Sequence, residues 1–554
     1  MKYVIIGGVA GGASAAARLR RLDESAEIIL FEKGAYISYA NCGLPYYIGD
    51  VIKERNKLFV QTAASFKQRF NIDTRVLSEV IAIHKEEKKI EIKNLTSGEI
   101  YTESYDKLVL SPGADPVRPP LPGIQEEGIF TLRNVSDTDK IKAYVQQFPK
   151  GKAVVIGAGF IGLEMAENLH HLGMQVSIIE MINQVMAPAD FTMASIVQQH
   201  IRSKGVNLRL NTAVAGFERR DGKLNVLLKD GNSIATDVVI LSIGVRQDTK
   251  LAAEARLQIG QARGIVVNEY LQTSDDDIYA VGDAIEFKHP ISGNMLTTYL
   301  AGPANKQGRI CADNIVMGNV EKYKGSIGTA IVKVFDLTVA VSGMAAKHLK
   351  AANIDHIVST THSGSHAGYY PDAEQMSIQL AFSPGEGKVL GAQIVGKTGV
   401  DKRIDILSSV IQRGSDIHEL TEFEHAYAPP YSSAKDPVNM AGFVAENILD
   451  GKHEIIYWDK IQDLSENDLL IDVRSAEEYK RGSIPNAINI SVDDLRTKLN
   501  ELPKSKNIYV FCQIGLRGYL AQRILLQHGF AHVYNLSGGY KLWENAYKET
   551  MLVG

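Results

Sequence analysis

The chain has 554 residues, too many for one hydrophobic core, so three or four domains are expected. Its composition, 45% hydrophobic and 22% charged, is that of an ordinary globular protein, and a net charge of −4 without a basic stripe argues against a nucleic-acid partner. No run reaches the roughly 18 apolar residues of a membrane span. Cys42, Cys311 and Cys512 are far apart, with no disulfide framework and no metal-ligand pattern, so a cytoplasmic protein holding no metal is expected.

The first residues imitate a secretory leader: a lysine, an apolar run, then small residues. Gly7, Gly8, Gly11 and Gly12 interrupt that run, and Arg18, Arg20 and Arg21 follow it. The glycines fit another pattern. Lys2–Ile6 reads as a buried parallel strand, followed by a glycine-rich turn, a helix of small residues and a second strand at Glu27–Phe31. The same order returns with a strand at Lys152–Ile156, a turn and helix within 157–173, and a strand at Gln175–Ile179. Two doubly wound α/β nucleotide-binding domains are therefore expected. Beyond 326, strand-like runs at 329–335 and Gln375–Phe382 alternate with a helical run at 401–412, an α+β pattern without a nucleotide fingerprint. A polar connector at 450–460 leads to a last α/β unit with strands at 469–473, 508–511 and Val533–Leu536. The expected domains are 1–113 with 241–325, then 114–240, 326–449 and 455–554.

Gly157-Ala158-Gly159-Phe160-Ile161-Gly162 is a full G-x-G-x-x-G between a strand and a helix. Gly157 makes the turn, Gly159 lets backbone approach a pyrophosphate and Gly162 lets helix pack on strand. Glu180 ends the next strand, where a carboxylate binds a ribose 2′-hydroxyl and repels a 2′-phosphate, so NADH is expected over NADPH. The first loop, Gly7-Gly8-Val9-Ala10-Gly11-Gly12, departs from the pattern because Val9 replaces the second glycine, yet Glu32 closes its second strand in the same way. The segment Thr273-Ser274-Asp275-Asp276-Asp277-Ile278-Tyr279-Ala280-Val281-Gly282-Asp283 resembles the second FAD motif of flavoproteins with two dinucleotide-binding domains. That resemblance assigns FAD to the first site, with Asp283 on the ribityl chain and the helix starting at 301, which carries Asn305, facing the flavin.

Cys42 follows the first unit in Ser38-Tyr39-Ala40-Asn41-Cys42-Gly43-Leu44-Pro45, with no second cysteine near it in sequence. A lone redox thiol beside a flavin must cycle through a mixed disulfide, a persulfide or a sulfenic acid. It must react as a thiolate, and a helix N-terminus next to an electron-poor isoalloxazine is expected to lower its pKa. Cys512 stands at a strand end and opens the loop Cys512-Gln513-Ile514-Gly515-Leu516-Arg517 before a helix. Such a loop gathers backbone N–H groups around a thiolate or persulfide, with Arg517 adding positive charge. With Leu470-Ile471-Asp472-Val473-Arg474 and Gly482-Ser483-Ile484-Pro485-Asn486-Ala487 it resembles a rhodanese domain. Cys311, inside a helical run, reads as packing.

The motif around Cys42, Ala426-Tyr427-Ala428-Pro429-Pro430-Tyr431-Ser432 and the last domain together resemble the coenzyme A-disulfide reductase–rhodanese fusions, also described as NADH-dependent persulfide reductases. The resemblance implies Rossmann-like FAD and NADH domains, an α+β dimerisation domain and a C-terminal α/β rhodanese domain. It implies a homodimer in which Tyr369 and Tyr427 of one subunit stand over Cys42 of the other, with Tyr370 an adjacent candidate for Tyr369 and His425 an interface or surface residue. It adds Lys33, Val80 and Gly244 to the cofactor-binding residues. Ser14, Arg18 and Arg21 recur at helical spacing, and two arginines with a hydroxyl suit a phosphate-bearing ligand, although a solvated basic face has the same pattern. The resemblance makes the ligand coenzyme A, joined by Ser38, Asn41 and Lys435. The expected substrates are small sulfur compounds: coenzyme A disulfide, coenzyme A persulfide or polysulfide. Two alternatives stand beside this one. An NADH oxidase or peroxidase would cycle Cys42 as a sulfenic acid, and the last domain could instead be a docking module that delivers sulfur to another protein.

Overall fold

The computed structural model describes residues 1–553, so Gly554, the end of the expected last domain, lies outside the described residues. The chain forms two compact units, one of residues 1–181 and 212–328 and the other of 182–211 and 329 onward.

The first unit holds two parallel sheets. In one, the strands run Ile278–Ala280, Lys107–Leu110, Lys2–Ile6, Glu27–Phe31, Asp73–Arg75. In the other, Gln175–Ile179, Lys152–Ile156, Val238–Leu241 and Ile129–Thr131 are successive neighbours. After a leading lysine, the central strands Lys2–Ile6 and Lys152–Ile156 are hydrophobic and buried, as in a parallel sheet covered on both faces, and Val4, Ile5, Val154 and Val155 are fully buried. The residues 1–17 that imitate a leader form the first strand and the start of the helix Ala10–Leu22.

The second unit contains an antiparallel sheet ordered Ala330–Val334, Leu337–Gly343, Val389–Gly396, Gln375–Phe382, Ile357–Gly364, packed by the helices Val400–Arg413 and Pro437–Leu449. It also contains a parallel sheet ordered Ile455–Ile456, Val533–Leu536, Asn507–Phe511, Asp468–Asp472, Ile488–Asn489. The expected connector is thus partly sheet. Ile455–Ile456 pairs beside Val533–Leu536, and Trp458–Asp463 forms a helical turn. The run Ile455-Ile456-Tyr457-Trp458 is short and shows no alternation, so it does not reveal a strand in sequence.

The parallel sheet is fastened to the antiparallel one. Val358 N donates to Tyr457 Oη at 3.2 Å, Thr360 N to Ser537 Oγ at 3.3 Å, and Lys541 Nζ to Gln375 Oε1 at 2.5 Å. His362 is buried, with Nε2 3.0 Å from the Gly538 carbonyl and Nδ1 2.8 Å from Ser377 Oγ. Burial pushes its pKa down to about 3, so the ring stays neutral near pH 7. Trp458 stacks on Phe191 with ring centroids 5.8 Å apart. The buried Glu549 carboxylate accepts from Gln198, Gln199 and Arg202 of the helix Phe191–Ser203. This segment, expected within 114–240, belongs to the second unit.

Candidate active site

The two glycine turns are built alike. Gly7 and Gly157 have φ of +97° and +98°, and a Cβ there would lie 2.0 Å from Ser111 O and 2.3 Å from Ser242 O. At Gly12 and Gly162 a Cβ would strike the Gly7 and Gly157 carbonyls. Glycine is therefore required at all four places. Nothing lies within 4 Å of a Cβ at Gly159, leaving room for a pyrophosphate. Both acidic residues take an N–H of the facing turn: Gly8 N donates to Glu32 Oε2 and Ala158 N to Glu180 Oε2, each at 2.8 Å. Gly244 follows the strand end that borders Gly157, with its carbonyl accepting from Val117 N at 3.0 Å.

A cavity of about 390 Å³ opens over the first turn, and Gly7, Gly8, Gly11, Glu32, Lys33, Val80 and Asp283 line it. Gly12 lies beneath the turn, and Asn305 engages Ser14 instead, whose Oγ donates to its Oδ1 at 2.5 Å. Burial raises the Asp283 carboxyl pKa. The glycine cradle, the oriented Glu32 and Asp283 fit an adenine dinucleotide with a hydroxyl-rich chain, which is what FAD presents.

Cys42 is exposed, in a single turn at Asn41–Gly43 that runs into the five-residue helix Leu44–Ile48. Its loop is tied to the glycine turn, because Ser38 N donates to Gly8 O at 2.8 Å. The protein's own groups do not supply the expected depression of the thiol pKa. Crowding by the surrounding chain, then the carboxylates of Glu164 and Asp283, push it above the ordinary thiol value and outweigh the backbone N–H that lowers it. A five-residue helix beginning two residues downstream has too small a dipole to offset this. Sequence reasoning missed Glu164, from the helix Phe160–His171, whose own burial raises its pKa to about 7 and whose Oε1 lies 3.4 Å from Tyr46 Oη. Cys311 is fully buried in the helix Ala301–Met317, where burial raises its thiol pKa far above that of a reactive thiolate.

The second candidate thiol, Cys512, is 1% exposed. Gly515 N donates to its sulfur at 3.2 Å, and the backbone of Gly538-Gly539 underlies the loop: Tyr540 N donates to Cys512 O at 2.8 Å, and a Cβ on Gly539 would strike that carbonyl. Arg517 adds positive charge near the sulfur, and its fork is held by Glu478 through bonds of 2.6 and 2.7 Å, which keep that carboxyl down at about 2. Glu478 is also the third residue of a capping box opened by Ser475, and that Ser-x-x-Glu spacing was the available signal for it. Arg474 pairs with Asp472, donates to Gln513 at 3.1 Å and lies 4.1 Å from the Tyr540 ring centre.

Tyr369 and Tyr427 meet directly, their hydroxyls 2.8 Å apart, although the side chains are 76% and 47% exposed. The shared hydrogen bond raises the Tyr369 pKa. Tyr370 packs edge-on against His366 instead, and His425 Nε2 lies 3.0 Å from the Ser433 carbonyl. The expected basic face is divided. Arg18 pairs with Asp313 at 2.7 Å, Ser14 is held by Asn305, and only Arg21 is exposed. Asn41 and Lys435 are exposed, and Ser38 is half-buried.

Twin dinucleotide turns, a flavin-sized cradle beside a lone exposed thiol, and a second thiol in a six-residue anion-binding loop define a flavoprotein oxidoreductase joined to a sulfur-handling domain. Residues 1–308 match the pyridine nucleotide-disulphide oxidoreductase model, 329–437 its dimerisation domain and 457–546 the rhodanese-like domain. A coenzyme A disulfide reductase of Staphylococcus haemolyticus (strain JCSC1435) is 36% identical over 447 residues, 81% of this chain and all of that one. The crystal structure of reduced Bacillus anthracis CoADR-RHD superposes with a TM-score of 0.96 at 51% identity, over 99% of this chain and 98% of that one. A NAD-dependent persulfide reductase from A. fulgidus gives 0.92 at 40%, over 98% and 100%. The chain belongs to the pyridine nucleotide-disulphide oxidoreductase family, whose cofactors are FAD and a nicotinamide nucleotide, and is an enzyme.

Proposed function

We propose that the chain uses NADH to reduce the sulfur–sulfur bond of coenzyme A disulfide, coenzyme A persulfide or polysulfide through Cys42. The observation that carries this reading is a single exposed thiol next to the flavin cradle, with Cys311 sealed in the core. The Cys42 thiolate attacks one sulfur of coenzyme A disulfide, forming a mixed disulfide and expelling one coenzyme A thiolate. On a persulfide it attacks the outer sulfur, releases coenzyme A and becomes a persulfide itself. FAD, which the Gly7-Gly8 turn, Glu32 and Asp283 would hold, would supply the redox chemistry, passing an electron pair from NADH to the new sulfur–sulfur bond so that coenzyme A or hydrosulfide is freed. Tyr369 and Tyr427, supplied by the second copy of a homodimer, give and hold the proton of the departing thiolate, while Glu32 and Glu180 bind the two ribose hydroxyls.

Arg21 with Arg18, Ser14, Ser38 and Asn41, and Lys435 of the second copy, hold coenzyme A. Cys512 carries sulfane sulfur under Arg517 and the loop N–H groups, and the enzyme works in the cytoplasm. The test is anaerobic NADH oxidation with each acceptor. Cys42→Ser keeps FAD and loses turnover with every sulfur acceptor to the free-flavin background. Residual coenzyme A-dependent turnover overturns the single-thiol mechanism, and faster turnover with peroxide or oxygen points to the sulfenic acid cycle.

A further inference from the structure

We propose that Arg403 is a positioning residue for the tyrosine pair, a reading that rests on the role given above to Tyr369 and Tyr427. Arg403 lies in the helix Val400–Arg413 and is 1% exposed. Its Nη2 donates to the Ser365 carbonyl at 2.9 Å and to Asp436 Oδ2 at 2.8 Å, its Nε lies 3.2 Å from the same carboxylate, and its Nη1 donates to the Gly399 carbonyl at 3.1 Å. Asp436, fully buried, also accepts from Ser432 Oγ at 2.6 Å, and the Ser432 carbonyl accepts from Ala367 N at 3.0 Å.

Ser365 and Ala367 begin the loop that carries Tyr369, and Ser432 and Asp436 end the loop that carries Tyr427. One guanidinium therefore joins both loops at their bases, and the phenols above them meet at 2.8 Å despite their exposure. Two exposed tyrosines hold one mutual geometry only if their backbones are fixed. A buried ion pair adds little net stability compared with apolar packing, so its use here is better explained by what it orients. Lysine cannot replace it, because a point charge lacks the planar fork that reaches three acceptors at once.

The test uses the FAD-loaded dimer of Arg403→Lys, and of Asp436→Asn should the first lose FAD. Site-specific 3-fluorotyrosine at 427 reports the phenol contact by fluorine NMR. The expected result is a shift of the fluorine resonance to the solvent-exposed position. The rate of flavin reduction by NADH should be unchanged, and kcat for the sulfur acceptor should fall roughly tenfold or more, the scale of losing an oriented proton donor. In a Tyr369→Phe/Tyr427→Phe background the same substitution causes no further loss. An unmoved fluorine resonance, or losses that multiply in that background, overturns the proposal. Full acceptor turnover by the double phenylalanine variant instead overturns the role given to the tyrosines, and the fluorine shift then decides whether Arg403 holds them.

Discussion

At the level of single residues, the most consequential neighbour of Cys42 is one its own motif does not announce. Glu164 gains a proton on folding: its carboxyl is raised from 4.5 to about 7 because burial disfavours its charge. Between those values the folded chain binds the proton that the unfolded chain releases, so this residue's contribution to stability is present below pH 4.5 and is lost as pH rises toward 7. Above pH 7 it is ionised and opposes the Cys42 thiolate. Glu164→Gln is expected to lower the Cys42 pKa, read from the pH dependence of its alkylation rate. An unchanged or raised pKa refutes the coupling. Glu180 gives a second expectation. Wild type prefers NADH, and Glu180→Ala lowers the NADH-to-NADPH ratio of kcat/KM by roughly tenfold or more through removal of a like charge. A wild-type kcat/KM for NADPH at or above that for NADH would show that the carboxylate does not face the 2′-position. Cys42, Cys512 and the glycines could be picked out because each sits in a local pattern. Glu164 could not, since its meeting with Cys42 is made by a helix more than a hundred positions along the chain.

Elements were legible where hydrophobic pattern and turn chemistry act over short range. Lys2–Ile6, Glu27–Phe31, Lys152–Ile156, Gln175–Ile179 and Gln375–Phe382 have the same limits in sequence and structure. Ile455–Ile456 was hidden because a two-residue strand exists only by pairing with its neighbour. The spacing of Ser14, Arg18 and Arg21 predicted a shared face correctly for a helix in isolation, but not that the helix Ala301–Met317 would supply Asp313 and Asn305 to occupy two of the three. The Cys512 loop was visible, though not the carboxylate that aims its arginine. Glu478→Gln should loosen one side of the Arg517 fork and slow sulfur transfer from thiosulfate roughly tenfold, while reduction of coenzyme A disulfide by NADH is retained. Equal loss in both assays would make Glu478 a general structural residue.

For the molecule as a whole, the question is why two sulfur chemistries share one chain. Cys512→Ser is expected to spare reduction of coenzyme A disulfide and to impair use of polysulfide or other donors that must first be loaded onto a carrier. The ratio of the two rates, wild type against variant at matched flavin occupancy, decides it. Equal loss of both makes the rhodanese-like domain structural for the reductase, and no loss of either makes it a separate activity. The four expected domains were told apart in sequence by changes in strand–helix pattern and, in all but the third, by a local motif. Their grouping into two units could not, because it depends on pairs such as Glu549 with Arg202 that join distant parts of the chain.

The hydrogen bonds of Val358, Thr360 and His362 to the Cys512-bearing sheet have a bearing on tempo. Large domain swings take microseconds to milliseconds, and a carrier mounted on such a hinge can work no faster than it swings. Here the sulfur-loading loop and the tyrosine pair belong to the same packed unit. Under the proposed reaction, the interval between loading and reduction is then set by the journey of the small cargo and by bond exchange at sulfur, with no mechanical stroke of this domain to wait for.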